Sequence, residues 1–346
     1  MQSFLKAFAA KFWKDRLQSG GLFPVYGVPS GAVGFVLASL RQVVDVPILV
    51  VTPGAVAAEA LSLDLELFLR PDEFVLIPER DGIPYDRARR DAAIAGQRVH
   101  AILDLCENRS GFYVTPIASL MRKIQSPDIW KKATLNLKTG MTVDPGVLLQ
   151  KLISLGYHRV ERAEGPGDVC MKGSVLDIFS PGQDPVRLDF FDIEIESIRH
   201  FDPETQRSAE TLQQVEIVPA SEDLLPAAQK DAFLDYIAEY GDAEKPDWLE
   251  DIETRPASDT IPIEEQFFPG RNMPGLEDVL VDFLESTTLL NCFTKKPLVF
   301  LIQNEDIEKH RHRVIAEYET IFDAECQDRL AAPPERLLVD DPLRLE

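Results

Sequence analysis

Two hydrophobic periods alternate along the first third of the chain. Short runs rich in β-branched and aromatic residues predict buried strands at 22–26, 46–51, 74–77 and 111–114. Between them, apolar residues recur every three or four positions and predict helices at 32–42, 55–69 and 91–106. Strands that alternate with helices build a parallel sheet wrapped by helices. Residues 1–132 are therefore expected to form an α/β core.

The pattern changes near residue 133. A strand at 133–137 precedes a turn at Thr139-Gly140. Asp144-Pro145 is a helix start for residues 146–155, which Gly156 halts. Strand-like runs then follow with few helices between them, at 158–162, 168–179, 186–191, 198–201 and 214–218. Gly165-Pro166-Gly167, Ser180-Pro181-Gly182 and Asp202-Pro203 separate them. Residues 133–220 predict an inserted antiparallel α+β domain. Residues 221–346 read as mostly helical, cut into short pieces by Pro262, Pro269 and Pro274. A late strand at 298–302 and helix at 306–322 could return to the first sheet.

Charge narrows the function. The chain has 346 residues, with 58 acidic against 36 basic side chains and a net charge of -22. Residues 221–286 alone hold 18 acidic and 4 basic residues. Such a chain repels a phosphate backbone unless its cations gather in one place. The densest gathering is Arg87, Arg89 and Arg90, with Arg98 further along the helix. It is a possible basic patch for DNA or an acidic partner, or else a solvated helix start beside Asp86 and Asp91. The acidic stretch embeds Trp248, Phe267, Phe268 and Phe283, which fits a helical shell whose aromatics face the core.

Cys106, Cys170, Cys292 and Cys326 lie singly, and the five histidines do not cluster with them. No zinc site is expected, and isolated thiols suit a cytoplasmic protein. No apolar run reaches the length of a membrane span. No G-x-S-x-G nucleophile motif is present. No catalytic residue, metal or cofactor is expected.

After the first expected strand the chain reads Gly27-Val28-Pro29-Ser30-Gly31-Ala32-Val33-Gly34. A phosphate-binding P-loop needs backbone N–H groups, a lysine for the β/γ-phosphates and a hydroxyl for Mg²⁺. With Gly27 as the first glycine, Ala32, Val33 and Gly34 stand where the second glycine, the lysine and the Ser/Thr belong. Gly27, Gly31, Val33 and Gly34 thus form a degenerate P-loop that binds no nucleotide.

The most informative segment runs from Leu155-Gly156-Tyr157 to Phe201-Asp202. It contains Lys172-Gly173, Leu176-Asp177-Ile178-Phe179, Pro185-Val186-Arg187-Leu188-Asp189-Phe190-Phe191-Asp192 and Glu194-Ile195-Glu196. Thr205-Gln206-Arg207 and Val218-Pro219-Ala220 follow. This pattern resembles the UvrB-homology region at the N-terminus of the bacterial transcription-repair coupling factors. Ile83-Pro84-Tyr85-Asp86 and the helix around Arg98 extend the resemblance upstream.

The resemblance implies three subdomains: a degenerate P-loop NTPase-like α/β core (1a, residues 1–132), an inserted α+β domain 2 (133–220) and an acidic domain 1b (221–346) that completes the core. It implies a non-catalytic module that recruits UvrA to stalled RNA polymerase in nucleotide excision repair. It further implies a longer protein, with a polymerase-binding domain and a DNA-translocating motor beyond Glu346. A C-terminal regulatory domain would pack on the domain 2 face and restrain that motor. The DNA-opening aromatic hairpin of UvrB has no counterpart between Tyr85 and Arg98, so damage verification is not expected. The alternatives are a nucleotide-dependent helicase fragment of the UvrB kind, against which Val33 stands, and a purely intramolecular regulator without UvrA binding.

Strand alternation puts Arg187, Asp189 and Phe191 on one face and Leu188 and Phe190 on the other. The second face is core. The first is either a binding surface with an aromatic anchor or a cross-strand ion pair with Phe191 partly buried. By position, Arg187, Asp189 and Phe191 match residues that contact UvrA in the family. Lys172 matches another such position, where the family usually has arginine. Lysine offers a point charge in place of a bidentate fork, which bears on the strength of that contact.

Overall fold

The computed structural model describes residues 2–13, 17, 24–86, 88, 90–107, 111–239, 244–255, 258, 260–269, 273 and 275–343. They divide into two compact units.

The first unit gathers residues 1–79, 104–121 and 289–314. Its centre is a four-stranded parallel sheet in the order Leu298–Leu301, Ile48–Thr52, Phe112–Pro116, Phe74–Leu76. Ile48 faces both Leu298 and Phe112 across the ladder. The continuous apolar run of Ile48–Thr52 is buried along its whole length. That is what a central parallel strand covered on both faces requires. The late strand thus does return to the first sheet.

The helices Gln2–Phe12, Val33–Ser39 and Ala55–Glu66 bring Ala9, Leu37, Ala38, Leu61 and Leu65 into one core with Ile48, Val50, Phe112 and Val114. The Trp13 indole N–H donates to Ser39 Oγ at 2.8 Å, so its polar atom is satisfied inside this core.

The strand expected at 22–26 does not form over Pro24–Tyr26; Leu22 and Phe23 lie outside the described residues. Proline has no N–H to give a ladder, and Tyr26 is 87% exposed with no strand beside it. The glycine-rich segment is therefore not entered from a sheet strand, as a P-loop would be. Gly27 turns the chain at φ +77, and a short 3₁₀ turn at Ser30–Ala32 leads into the next helix. Gly34 serves packing, because a Cβ there would come within 2.8 Å of Asp64 Cβ. Val33 is half-buried against the core, and Gly31 stands in open space.

The second unit gathers residues 80–103, 122–288 and 315–346. Its main sheet has six strands in the order Ser208–Leu212, Glu194–Phe201, Val186–Phe191, Val175–Ile178, Asp168–Lys172, His158–Arg159. The run expected as one strand at 168–179 is a hairpin that turns at Gly173, φ +61. Ser208–Leu212 gives no strand signal in the sequence because its mostly exposed residues carry no hydrophobic alternation. The outermost pair, His158–Arg159 with Asp168–Val169, runs parallel, so the sheet is mixed and not wholly antiparallel.

The helix Pro145–Ser154 starts as its sequence dictates. Asp144 accepts the Val147 N–H at 3.0 Å, and Pro145 fills the first helical position. Gly156 then takes φ +94, and the buried Tyr157 donates its hydroxyl to the Val218 carbonyl at 2.7 Å.

The acidic stretch is less purely helical than expected. Leu224–Pro226 pairs with Phe267–Pro269, and Ser286–Thr287 with Ile124–Gln125. Trp248, Phe267 and Phe268 are buried, and Phe283 stacks edge-on to Phe233 at 5.1 Å. Most of the carboxylates sit on the outside of a core that these aromatics fill, but Glu222, Asp223, Glu277 and Asp278 are buried.

Candidate partner-binding surface

The six-stranded sheet buries one face and leaves the other polar. Leu176, Ile178, Val186, Leu188, Phe190, Ile195 and Ile198 are all buried. The intervening residues form two lines across the strands. One line runs Cys170, Asp177, Arg187, Arg199, Thr211. The other runs Lys172, Val175, Asp189, Ser197. Phe191 continues this face beyond Asp189, opposite Glu194. Lys172, Arg187, Asp189 and Phe191 are therefore brought onto one surface. Lys172 and Asp189 stand two strands apart, about 10 Å by strand spacing.

The charges on this surface are fixed. Arg187 forms a bidentate fork on Asp177 at 2.6 and 2.7 Å. Its guanidinium also lies 5.0 Å over the Phe201 ring and donates to the Gln206 carbonyl at 3.1 Å. Asp189 accepts from Ser197 Oγ at 2.6 Å and pairs with Arg199. The cross-strand pairing weighed from the sequence thus exists, but with Asp177 and Arg199 as partners and not between Arg187 and Asp189.

Phe191 remains 75% exposed, and Lys172 is exposed at the hairpin end. Ordered charges beside one uncovered ring make a preorganised anchor site: the polar groups pay no further ordering cost on docking, and the ring has apolar area to bury. Sequence reasoning left out Asp177, Arg199 and Gln206. The signals for Asp177 were a lone carboxylate inside an apolar strand and its place in the Leu176-Asp177-Ile178-Phe179 motif.

The basic patch is not upheld for Arg90 and Arg98; Arg87 and Arg89 lie outside the described residues. Arg98 is 1% exposed and grips Glu222 through two bonds, at 2.9 and 3.1 Å. Arg90 binds Glu277 at 2.6 Å and the Asp81 carbonyl at 2.8 Å. Arg80 pairs with Asp223, and Arg122 with Asp278 at 3.2 Å and with the Tyr318 hydroxyl at 2.8 Å. The Trp130 indole donates to the Glu222 carbonyl at 2.8 Å. Arg90 and Arg98, which looked like part of a surface cluster, are consumed by Glu277 and Glu222, far away in sequence.

Burial opposes ionisation of Glu222, yet the Arg98 and Arg80 guanidiniums hold its carboxyl down, from an ordinary 4.5 to about 2. For Asp278, burial and the neighbouring Glu277 carboxylate outweigh Arg122 and raise it from 3.8 to about 6. A lowered carboxyl supplies stability above its unfolded value and loses it as pH falls towards the folded one. A raised carboxyl subtracts stability as pH climbs through the interval between its two values. Glu222 is expected to cost the fold roughly 3 kcal/mol as pH drops from about 4.5 to 2, and Asp278 roughly 2–3 kcal/mol as pH rises from about 4 to 6. Urea unfolding across pH checks both: Glu222→Gln should flatten the acid leg and Asp278→Asn the other. Unchanged slopes would refute the assignment.

Residues 135–222 match the model of the UvrB interaction domain. The chain is similar to the transcription-repair-coupling factor of Myxococcus xanthus, 34% identical over 219 residues, which are 61% of this chain and 18% of that protein. The Bacillus subtilis (strain 168) transcription-repair-coupling factor is 28% identical over 205 residues, 59% of this chain and 17% of that protein. A Staphylococcus aureus counterpart is 29% identical over 178 residues, 51% of this chain and 15% of that protein. The chain thus matches less than a fifth of the length of these relatives. It is similar to the transcription-repair-coupling factors over about half to 61% of its length, and residues 135–222, which match the UvrB interaction domain, carry the exposed sheet face just described.

Proposed function

We propose that this chain is a non-catalytic recruitment module of a transcription-repair coupling factor, and that it binds UvrA through the open sheet face of residues 135–222. The observation that carries this reading is the exposed Phe191 ring beside the fixed Arg187–Asp177 and Asp189–Arg199 pairs, inside the matched domain. In this reading residues 1–132 and 221–346 are subdomains 1a and 1b of a UvrB-like scaffold, 133–220 is domain 2, and the 1a core is a P-loop-like fold without its nucleotide site. The Val33 side chain in place of a lysine supports a module without ATPase activity. RNA polymerase and DNA are then engaged by other parts of the parent protein, in the cytoplasm. A C-terminal regulatory domain competes with UvrA for the same face. Among the described residues no helix is long and apolar enough to cross a membrane.

The test is calorimetric titration of the chain into UvrA of the same organism. Phe191→Ala and Lys172→Glu are the informative variants, since both side chains are exposed and neither supports the fold. Phe191→Ala is expected to weaken binding at least about thirtyfold, the loss of a hot-spot ring. Arg187→Glu alone would mislead, because it sets two carboxylates together at Asp177 and disturbs the sheet itself. A folded wild-type chain that does not bind UvrA would overturn the reading.

A further inference from the structure

The helix Ala55–Glu66 is apolar on two sides. One side is core: Ala58, Leu61, Leu65 and Leu69 are buried in the first unit. Ser62, also buried on that side, returns its hydroxyl to the Ala58 carbonyl at 2.9 Å. The opposite side carries Val56, Ala60, Leu63 and, at the helix cap, Leu67. Val56 is 82% exposed, Leu63 and Leu67 are each 64% exposed, and Ala60 is exposed as well. Single exposed apolar residues are ordinary, but these four follow one another at spacings of four, three and four. That is the a/d spacing of a coiled-coil seam, and it runs about 16 Å along the helix.

The charges beside the seam say what can cover it. With Val56 and Leu63 as d and Ala60 and Leu67 as a, Glu59 and Glu66 fall at g and Asp64 falls at e. A second copy is a poor match. Paired in parallel, the helices would set Glu59 against Asp64. Paired antiparallel, they would set glutamate against glutamate. A helix with Lys or Arg at these flanking positions satisfies both seam and charge.

We propose that the outward face of Ala55–Glu66 docks a basic amphipathic helix of another protein, with aliphatic residues at its a and d positions and Lys or Arg at e and g. This surface shares no residue with the sheet face of residues 135–222, and the proposal stands whether or not that face binds UvrA.

The probes are two labelled three-heptad peptides with Leu at a and d, one with Lys and one with Glu at e and g, followed by fluorescence anisotropy against the whole chain. The Lys peptide should bind saturably and the Glu peptide should not. Leu63→Ser keeps every charge and should weaken Lys-peptide binding at least about tenfold, the cost of one buried aliphatic contact. Glu59→Lys with Glu66→Lys should reverse the preference between the peptides. Both variants change exposed residues, and circular dichroism would verify that they fold.

Failure of the Lys peptide to bind, equal binding by both peptides or equal binding by Leu63→Ser would overturn the proposal, the last marking mere attraction to an acidic chain. So would self-association in sedimentation that Leu63→Ser abolishes, since the face would then belong to a second copy.

Discussion

Replacing Arg98 with methionine is expected to lower the stability of the second unit by about 3–5 kcal/mol, the cost of leaving a buried carboxylate without its main partner. Arg98 is buried and holds Glu222 by two bonds. Glu222 is itself buried, and Arg80, 3.7 Å from it, already pairs more closely with Asp223. Methionine matches the stem of arginine in length and shape, so lost packing contributes little and the charge dominates. The measurement is urea unfolding at neutral pH, followed by the midpoint at constant slope. A loss below about 1 kcal/mol would mean that Glu222 protonates or finds water at small cost, contrary to its depressed pKa. Removing both charges, Arg98→Met with Glu222→Leu, should recover much of the loss, since the penalty belongs to the orphaned charge and not to the missing pair.

The second large effect is expected at Gly156. Gly156→Val should destabilise the same unit by roughly 3 kcal/mol or more, from two independent causes. The backbone there holds φ +94, a conformation that a β-branched residue scarcely adopts. A Cβ would also lie 2.8 Å from Ser221 Cβ and 3.1 Å from the Ala220 backbone carbon, which cannot move aside as a flexible side chain could. The Ala220 N–H donates to the Leu155 carbonyl at 2.9 Å, so any retreat of that segment breaks a hydrogen bond. Tyr157, next in sequence, would be pulled from the Val218 carbonyl. Gly156→Ala should fall between wild type and Gly156→Val. Gly140→Ala is the control, since Gly140 shares the left-handed backbone at φ +80 but has no atom within 4 Å of a Cβ. Similar losses in the alanine variants at 140 and 156 would assign the whole cost to backbone conformation and refute the packing half of the argument.

The sequence by itself determined what depends on short-range physics. The buried strands at 48–52 and 112–116 declare themselves as continuous apolar runs. The helix after Asp144-Pro145 declares itself by its cap, and the turns at Gly140 and Gly156 by the one residue type suited to positive φ, whereas the turn at Gly173 is hidden inside an apolar run. The two faces of Val186–Phe191 follow from a period of two, so the burial of Leu188 and Phe190 was legible, while the exposure of Phe191 was one of two readings that the structure decided.

Tertiary structure alone decided which charges meet. Arg187 and Asp189 lie two residues apart, yet their partners, Asp177 and Arg199, come from neighbouring strands whose register no local pattern fixes. Arg90 and Arg98 read as a basic surface because the acids that bury them, Glu277 and Glu222, lie 187 and 124 residues further along the chain. Local sequence also could not show that Pro24–Tyr26 finds no neighbouring strand, or that Ser208–Leu212 does. A strand exists by virtue of its partner's ladder, and the partner is chosen by the fold as a whole.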